Sequence, residues 1–286
     1  MRGKPLAFAV AVLAAACTTS TPPDDTATSA PTSRPGAGRY VALGDSYTSA
    51  PGTGTPVGTP PGCARSNNNY PRLVAEQLGV TDLTDVSCSG ATTRDLTGPQ
   101  RTSDGTNPPQ LDAVGPDTTL VTLGIGGNDV GFVQLAARCA GSGQEAGSCV
   151  AGADLATAIE DTADRIGAAV RQIRERAPRA RVVVVGYPTV LPADPGACRP
   201  ELPYAPADVS ALRQSLLRLN EVLAQQATVH GADYADSAAL SRGHGICAAQ
   251  EERWVEGLRS TTGAAPLHPT ARGERAMADA VLAAVR

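Results

Sequence analysis

Four consecutive valines, Val182 to Val185, constrain the fold of this chain more than any other stretch of it. A strand with one wet face alternates apolar and polar residues. An unbroken apolar run of strand length suits a strand covered on both faces, as in a parallel sheet between helix layers. Neighbouring segments supply the rest of such a sheet. Arg39–Leu43 reads as a first strand ending at Gly44, Val86–Cys88 as a second and Thr119–Ile125 as a third. Arg181–Val185 is then the fourth, and Ala232–Ala235 a shorter fifth.

Helical patterns fill the gaps. Between Asp154 and Ala177, residues Leu155, Ile159, Ala163, Ile166, Val170 and Ile173 recur at steps of three and four and form one apolar stripe. Asp154 suits the cap, and Pro178 stops the helix. Ala207–Thr228 repeats the pattern with Val209, Leu212, Leu216, Leu219 and Val222, and Thr270–Val285 closes the chain with Ala276, Met277, Ala280 and Val281. Alternating strands and helices of these lengths predict an α/β protein: a three-layer α/β/α sandwich with a parallel central sheet. Sites in such folds gather at the carboxyl ends of the strands.

The first segments do not read as part of this core. Arg2 and Lys4 precede an apolar run, Pro5–Ala16, which is well short of the ~20 residues of a membrane span. Residues 1–17 read as an export signal. Residues 18–38 are rich in Thr, Pro and Ser, and read as a flexible tether. The remaining stretch, 39–286, suffices for one domain. Two outcomes are open for Cys17. The unpaired cysteine and the tether behind it favour lipid attachment and anchoring to the outer face of the cell membrane; cleavage by a signal peptidase at the small residues Ala14-Ala15-Ala16 is the alternative. The expected location is outside the cell.

Seven cysteines are present, and the six beyond Cys17 form the even set that an exported chain uses for disulfides. Neither a C-x-x-C pair nor a His-rich tract suggests a metal, and no cofactor is expected. A net charge of -4 excludes a phosphate-neutralising surface for nucleic acid. With 3% aromatic residues there is little to stack against bases or sugars. A monomer acting on a small-molecule or lipid substrate is expected.

Four short segments carry chemistry, three of them directly after expected strands. Gly44-Asp45-Ser46-Tyr47 places a hydroxyl at the exit of the first strand. Cys88-Ser89-Gly90-Ala91 offers a backbone N–H at a glycine, which a ligand can approach closely. Gly126-Gly127-Asn128-Asp129 offers a neutral side-chain amide donor, suited to a developing oxyanion. Leu267-His268-Pro269 carries one of only three histidines; the others, His230 and His244, lie at a helix end and in a loop. Each segment alone is an ordinary turn. Neither a dinucleotide fingerprint nor a P-loop lysine is present, and Lys4 is the only lysine.

Taken in order, the four segments resemble the blocks of the SGNH, or GDSL, hydrolase family, from Arg39 to Val285. The resemblance implies a flavodoxin-like sandwich and a serine ester hydrolase. In it, Ser46 is the nucleophile, His268 the general base, and the Ser46 N–H, Gly90 and Asn128 the oxyanion donors. The chain is similar to the secreted actinobacterial lipases and esterases of the family, which implies disulfides Cys63–Cys88, Cys139–Cys149 and Cys198–Cys247. One position departs from the pattern: where the family's last block usually reads Asp-x-x-His-Pro, this chain has Ala265. A dyad is therefore expected, with the main-chain carbonyl of Ala265 orienting His268 in place of a carboxylate.

Triglycerides, phospholipids and short acyl esters are the substrates the resemblance favours. Deacetylation of carbohydrate esters is a second reading, and a non-catalytic surface lipoprotein that keeps the fold a third. The Pro-rich stretch Tyr187–Pro206 is expected either to border an acyl groove or to be a surface loop tied by Cys198.

Overall fold

The structure is a computed structural model that describes residues 38–59, 62–142, 149–196 and 202–286, together with Met1 and Gly3. The expected export signal, the tether and Cys17 fall almost wholly outside these residues, and Cys198 lies outside them too. No helix among the described residues is long and apolar enough to cross a membrane.

The strands are β1 (Arg39–Gly44), β2 (Asp82–Asp85), β3 (Gln100–Thr102), β4 (Gly105–Asn107), β5 (Thr118–Gly124), β6 (Arg181–Val185) and β7 (Asp233–Ala235). The helices are α1 (Ser46–Ser49), α2 (Tyr70–Leu78), α3 (Phe132–Ser142), α4 (Leu155–Arg176), α5 (Pro206–Val229), α6 (Ser237–Leu240) and α7 (Ala271–Ala284). Five strands form one parallel sheet in the order β2-β1-β5-β6-β7, and β3 with β4 makes a separate hairpin. Helices α2 and α7 pack together on one side, while α4 pairs with α5, which also meets α3. This is the expected α/β architecture, a parallel sheet flanked by helices.

The valine run behaves as its composition requires. Val182, Val183, Val184 and Val185 are 2%, 0%, 0% and 1% exposed, so both faces of β6 are covered. Asp154 caps helix α4, its side chain accepting from the Thr157 N–H at 3.1 Å, and the helix buries Ile159, Ile166, Val170 and Ile173.

The second strand lies earlier than expected. It is Asp82–Asp85, a polar edge strand with no apolar run to mark it. Val86 and Cys88 still donate to the carbonyls of Ala42 and Gly44, both at 3.0 Å, so the expected segment continues along β1 beyond the regular ladder.

The strand order places the site. The chain leaves β1 for β2 on one side and then returns to add β5 on the other. Loops on opposite sides of that switch point diverge and leave a crevice at the carboxyl ends. Gly44 and Gly124 are paired at the ends of β1 and β5, so the segments carrying Ser46 and Asn128 emerge side by side.

Candidate active site

Ser46 opens α1, directly after a sharp exit from β1. The exit needs glycine, because a Cβ at Gly44 would collide with the Thr48 side chain and the Gly124 carbonyl. Gln110 holds both backbone groups of Gly44: its Oε1 accepts from the Gly44 N–H at 2.8 Å and its Nε2 donates to the Gly44 carbonyl at 3.0 Å. Asp45 caps α1 by accepting from the Tyr47 N–H at 2.9 Å. As the first helical residue, Ser46 has a backbone N–H with no partner four residues back.

His268 comes from the other end of the chain and meets Ser46, with Nε2 2.7 Å from the hydroxyl oxygen. Its Nδ1 lies 2.8 Å from the carbonyl of Pro266. A carbonyl only accepts, so Nδ1 carries the proton and Nε2 presents its lone pair to the Ser46 hydroxyl. Both residues are buried, each with 7% of its surface exposed.

The acceptor for Nδ1 is a correction to the sequence reading, which chose the Ala265 carbonyl. Ala265 accepts instead from the backbone N–H of His268 at 3.1 Å. Residues 265–268 thereby form a turn with proline in its second position and Leu267 at φ 67° in its third, the pattern of a type II turn. In that turn the central peptide is flipped, so the carbonyl of Pro266, not that of Ala265, faces the ring.

Left-handed leucine costs of order 1 kcal/mol and persists where its surroundings fix it. Leu267 is held at both ends: its N–H donates to the Glu256 carbonyl at 3.2 Å, and its carbonyl accepts from the Tyr47 hydroxyl at 2.6 Å. The Glu256 N–H also donates to the His268 carbonyl at 2.8 Å. The buried carboxylate of Glu256 accepts from Gly257, Thr261 and Thr262 and thereby shapes the adjoining loop. Burial raises its pKa, but those hydrogen bonds outweigh burial and hold it below the ordinary value.

The other two expected residues follow the neighbouring segments of the same sheet. Asn128 follows β5, and its Nδ2 donates one hydrogen to the Ala91 carbonyl at 2.9 Å, leaving the second hydrogen to donate elsewhere. Asp129 fixes this loop by accepting from the Thr93 N–H at 2.9 Å and the Thr93 hydroxyl at 2.5 Å. Gly90, at φ 79°, sits between Ser89, which bonds Ser49, and Ala91, which bonds Asn128. Its N–H has no partner among the described residues.

The remaining histidines are engaged elsewhere. His244 stacks on Trp254 with centroids 4.0 Å apart, and His230 ends α5 beside Arg171.

Burial sets the local electrostatics. It lowers the His268 pKa below the ordinary 6.5, partly opposed by the Pro266 carbonyl, so the ring is neutral near pH 7. It raises Asp45 from 3.8 to about 7, against the hydrogen bonds from Tyr187 and the Tyr47 N–H.

Cys63–Cys88 and Cys139–Cys149 are disulfides, as the resemblance implied. Cys247 is also disulfide-bonded, but its expected pairing with Cys198 lies outside the described residues. The first bridge joins the 63–66 loop to the Gly90 segment, where Ser89 donates to the Cys63 carbonyl at 3.0 Å. Among the described residues the one grouping of metal-ligand type is Cys139, Cys149 and Asp208, whose two sulfurs are in a disulfide.

A cavity of about 830 Å³ is lined by Pro188–Asp194 together with Leu216, Leu217 and Arg242, and neither Ser46 nor His268 reaches it. A smaller one of about 360 Å³ includes Asn128, Leu135 and Arg138. Within the Pro-rich stretch, Pro188–Asp194 therefore border a space that the Ser46 hydroxyl does not reach.

Tyr47, Gln110, Tyr187 and Glu256 were not legible as site residues. Tyr47 stands beside Ser46 in the motif, and Tyr187 follows the clearest strand by two residues; both positions are signals that chain order alone could have raised. Gln110 and Glu256 lie in stretches with no motif at all.

Comparison with known proteins agrees with this geometry. Residues 42–276 match the GDSL-like lipase/acylhydrolase family. The chain is 40% identical over 268 residues to "Lipase 2" of Streptomyces coelicolor, covering 90% of this chain and 88% of that one. It is 34% identical over 237 residues to a lipase of Streptomyces rimosus, covering 82% of each. Among solved structures, a phospholipase A1 from Streptomyces albidoflavus superimposes with a TM-score of 0.73 at 32% identity, covering 86% of this chain and 99% of that chain. An extracellular lipase from Streptomyces rimosus gives 0.72 at 30%, covering 87% and 100%. The chain belongs to the GDSL-like lipase/acylhydrolase family and is a carboxylic ester hydrolase.

Proposed function

We propose that the chain hydrolyses lipid esters through an acyl-enzyme on Ser46. The observation that carries this reading is the 2.7 Å contact between the Ser46 hydroxyl and the unprotonated Nε2 of His268. His268 takes the hydroxyl proton as the Ser46 oxygen attacks the ester carbonyl. The oxyanion is met by the N–H groups of Ser46 and Gly90 and by the free amide hydrogen of Asn128. Collapse expels the alcohol, which takes the proton from His268. The ring then removes a proton from water, and attack on the acyl group releases the acid and restores Ser46.

Lipid esters are favoured by the relatives named lipase and phospholipase A1. A panel of purified substrates tests this: triglycerides, phosphatidylcholine, nitrophenyl esters of rising acyl length, and acetylated xylan. Highest kcat/KM on the lipids is expected. Preference for acetylated xylan would replace this reading with carbohydrate deacetylation, and no turnover on any ester would return it to a binding protein.

Export through residues 1–17, with Cys17 carrying a lipid, extends the proposal. An extracellular relative supports export, and the tether composition of 18–38 supports anchoring. Mass spectrometry of the mature N-terminus from the native host tests it: a diacylated Cys17 is expected, and an unmodified N-terminus would overturn the anchoring.

A further inference from the structure

One hydroxyl group joins the segment that carries Ser46 to the segment that carries Asn128. Tyr187 donates to the Asp45 carboxylate at 2.5 Å and accepts from the Gly127 N–H at 2.7 Å. Asp45 caps α1 immediately before Ser46, and Gly127 immediately precedes Asn128. The tyrosine itself belongs to neither segment; it follows β6, the next strand of the sheet.

The surroundings leave this hydroxyl little room to move. Asn220 on α5 grips the Tyr187 backbone, accepting from its N–H and donating to its carbonyl, both at 2.8 Å. The ring is 2% exposed and meets the Tyr47 ring edge-on, with centroids 5.0 Å apart. The loop after β5 also lies unusually close to it. A Cβ at Gly127 would stand 3.1 Å from the Tyr187 ring and hydroxyl, so glycine lets that backbone rest on the tyrosine.

We propose that Tyr187 is a positioning residue of the hydrolysis, whose hydroxyl sets the distance between the Ser46 nucleophile and the Asn128 oxyanion donor. An oxyanion donor acts only from about hydrogen-bonding distance of the developing charge, so a small displacement of one segment against the other removes much of its effect. Tyr47 performs the matching task on the other side. Its hydroxyl reaches the Leu267 carbonyl, and its ring lies 4.9 Å from that of His268. Ser46 is thus tied to Asn128 through one tyrosine and to His268 through another.

The proposal rests on the serine mechanism given above, and the test separates the two. Tyr187→Phe keeps the ring and removes the hydroxyl. Its kcat is expected to fall by about ten- to a hundredfold with KM within about twofold, since the contact acts on the transition state and not on ground-state binding. Residues that act through one another are not additive. In an Asn128→Ala background, Tyr187→Phe is therefore expected to cost less than about threefold further. A purely structural tyrosine would give the same proportional loss in both backgrounds.

Wild-type kcat in Tyr187→Phe, or full multiplication of its effect by Asn128→Ala, overturns the proposal. Turnover surviving in Ser46→Ala would instead overturn the mechanism beneath it. Melting temperatures accompany each variant. If Tyr187→Phe does not fold, Asp45→Ala removes the acceptor at the other end of the contact: a loss in kcat that shrinks to less than about threefold in the Asn128→Ala background supports the proposal, and an equal proportional loss in both backgrounds, or an unchanged kcat, contradicts it.

Discussion

The carbonyl of Pro266 accepts from Nδ1 of His268 at 2.8 Å and takes the place of the carboxylate that the family's last block usually supplies. A type II turn makes the substitution feasible. Proline fixes its second position, left-handed Leu267 completes it, and the flipped peptide between them aims an oxygen at the ring. The backbone dipole orients the imidazole and selects its tautomer, without a buried negative charge beside it.

Restoring the missing carboxylate should therefore gain little. Ala265→Asp is expected to leave kcat within about threefold of wild type, because Nδ1 is already engaged; an added charge-assisted bond has nothing to orient. Steady-state hydrolysis of a nitrophenyl ester measures it. A gain of about tenfold or more would show that the Pro266 carbonyl is an inadequate partner.

Two buried groups shape the pH response, and one variant separates them. Burial lowers the His268 pKa, so the base stays neutral and competent down to pH values below 6.5. In Asp45→Asn only His268 of the pair titrates. The acid limb of kcat/KM in that variant is expected below 6.5 and would contradict the assignment if it lay above.

The same variant carries a stability signature. Asp45 is raised from 3.8 to about 7 by burial, with the negative charge of Asp129 adding to the shift. Between these values the unfolded chain has released a proton that the folded chain still holds. Asp45 thus favours folding most below about pH 4, and that contribution is lost as the pH rises to 7. Urea unfolding of wild type should show this decline, and Asp45→Asn should lack it. Parallel pH profiles for the two proteins would count against the buried charge.

Glu256 makes the opposite contribution. Its carboxylate is held below the ordinary 4.5 because hydrogen bonds from Thr262, Thr261 and Gly257 outweigh burial, so its stabilisation is present above 4.5 and lost as the pH falls. Glu256→Gln points an amide group at backbone donors. A loss of about 2 kcal/mol in urea unfolding is expected at pH 7, with lower kcat as the His268 turn loosens. Unchanged stability would show that the loop does not depend on the charge.

The parts of this site legible in the sequence are those with a local cause. Val182–Val185 is apolar on both faces and so announces a buried strand, while Asp154 and Pro178 bracket α4 by capping and ring sterics. The edge strand Asp82–Asp85 is polar because one side of it meets solvent, so its continuation Val86–Cys88 carries the more strand-like pattern. The missing carboxylate before His268 was visible, but its replacement was not. Whether the Ala265 or the Pro266 carbonyl faces the ring depends on the sign of φ at Leu267, which a leucine does not advertise. Tyr187 escaped for another reason: its partners Asp45 and Gly127 lie 142 and 60 residues away in the chain.

The most direct measurement is covalent labelling by a fluorophosphonate, followed by intact mass and peptide mapping. Wild type should take up one adduct on Ser46, His268→Ala should label at a rate reduced by at least about a hundredfold, and Ser46→Ala should neither label nor hydrolyse esters. An adduct on another residue, or ester hydrolysis persisting in Ser46→Ala, would contradict the Ser46–His268 mechanism.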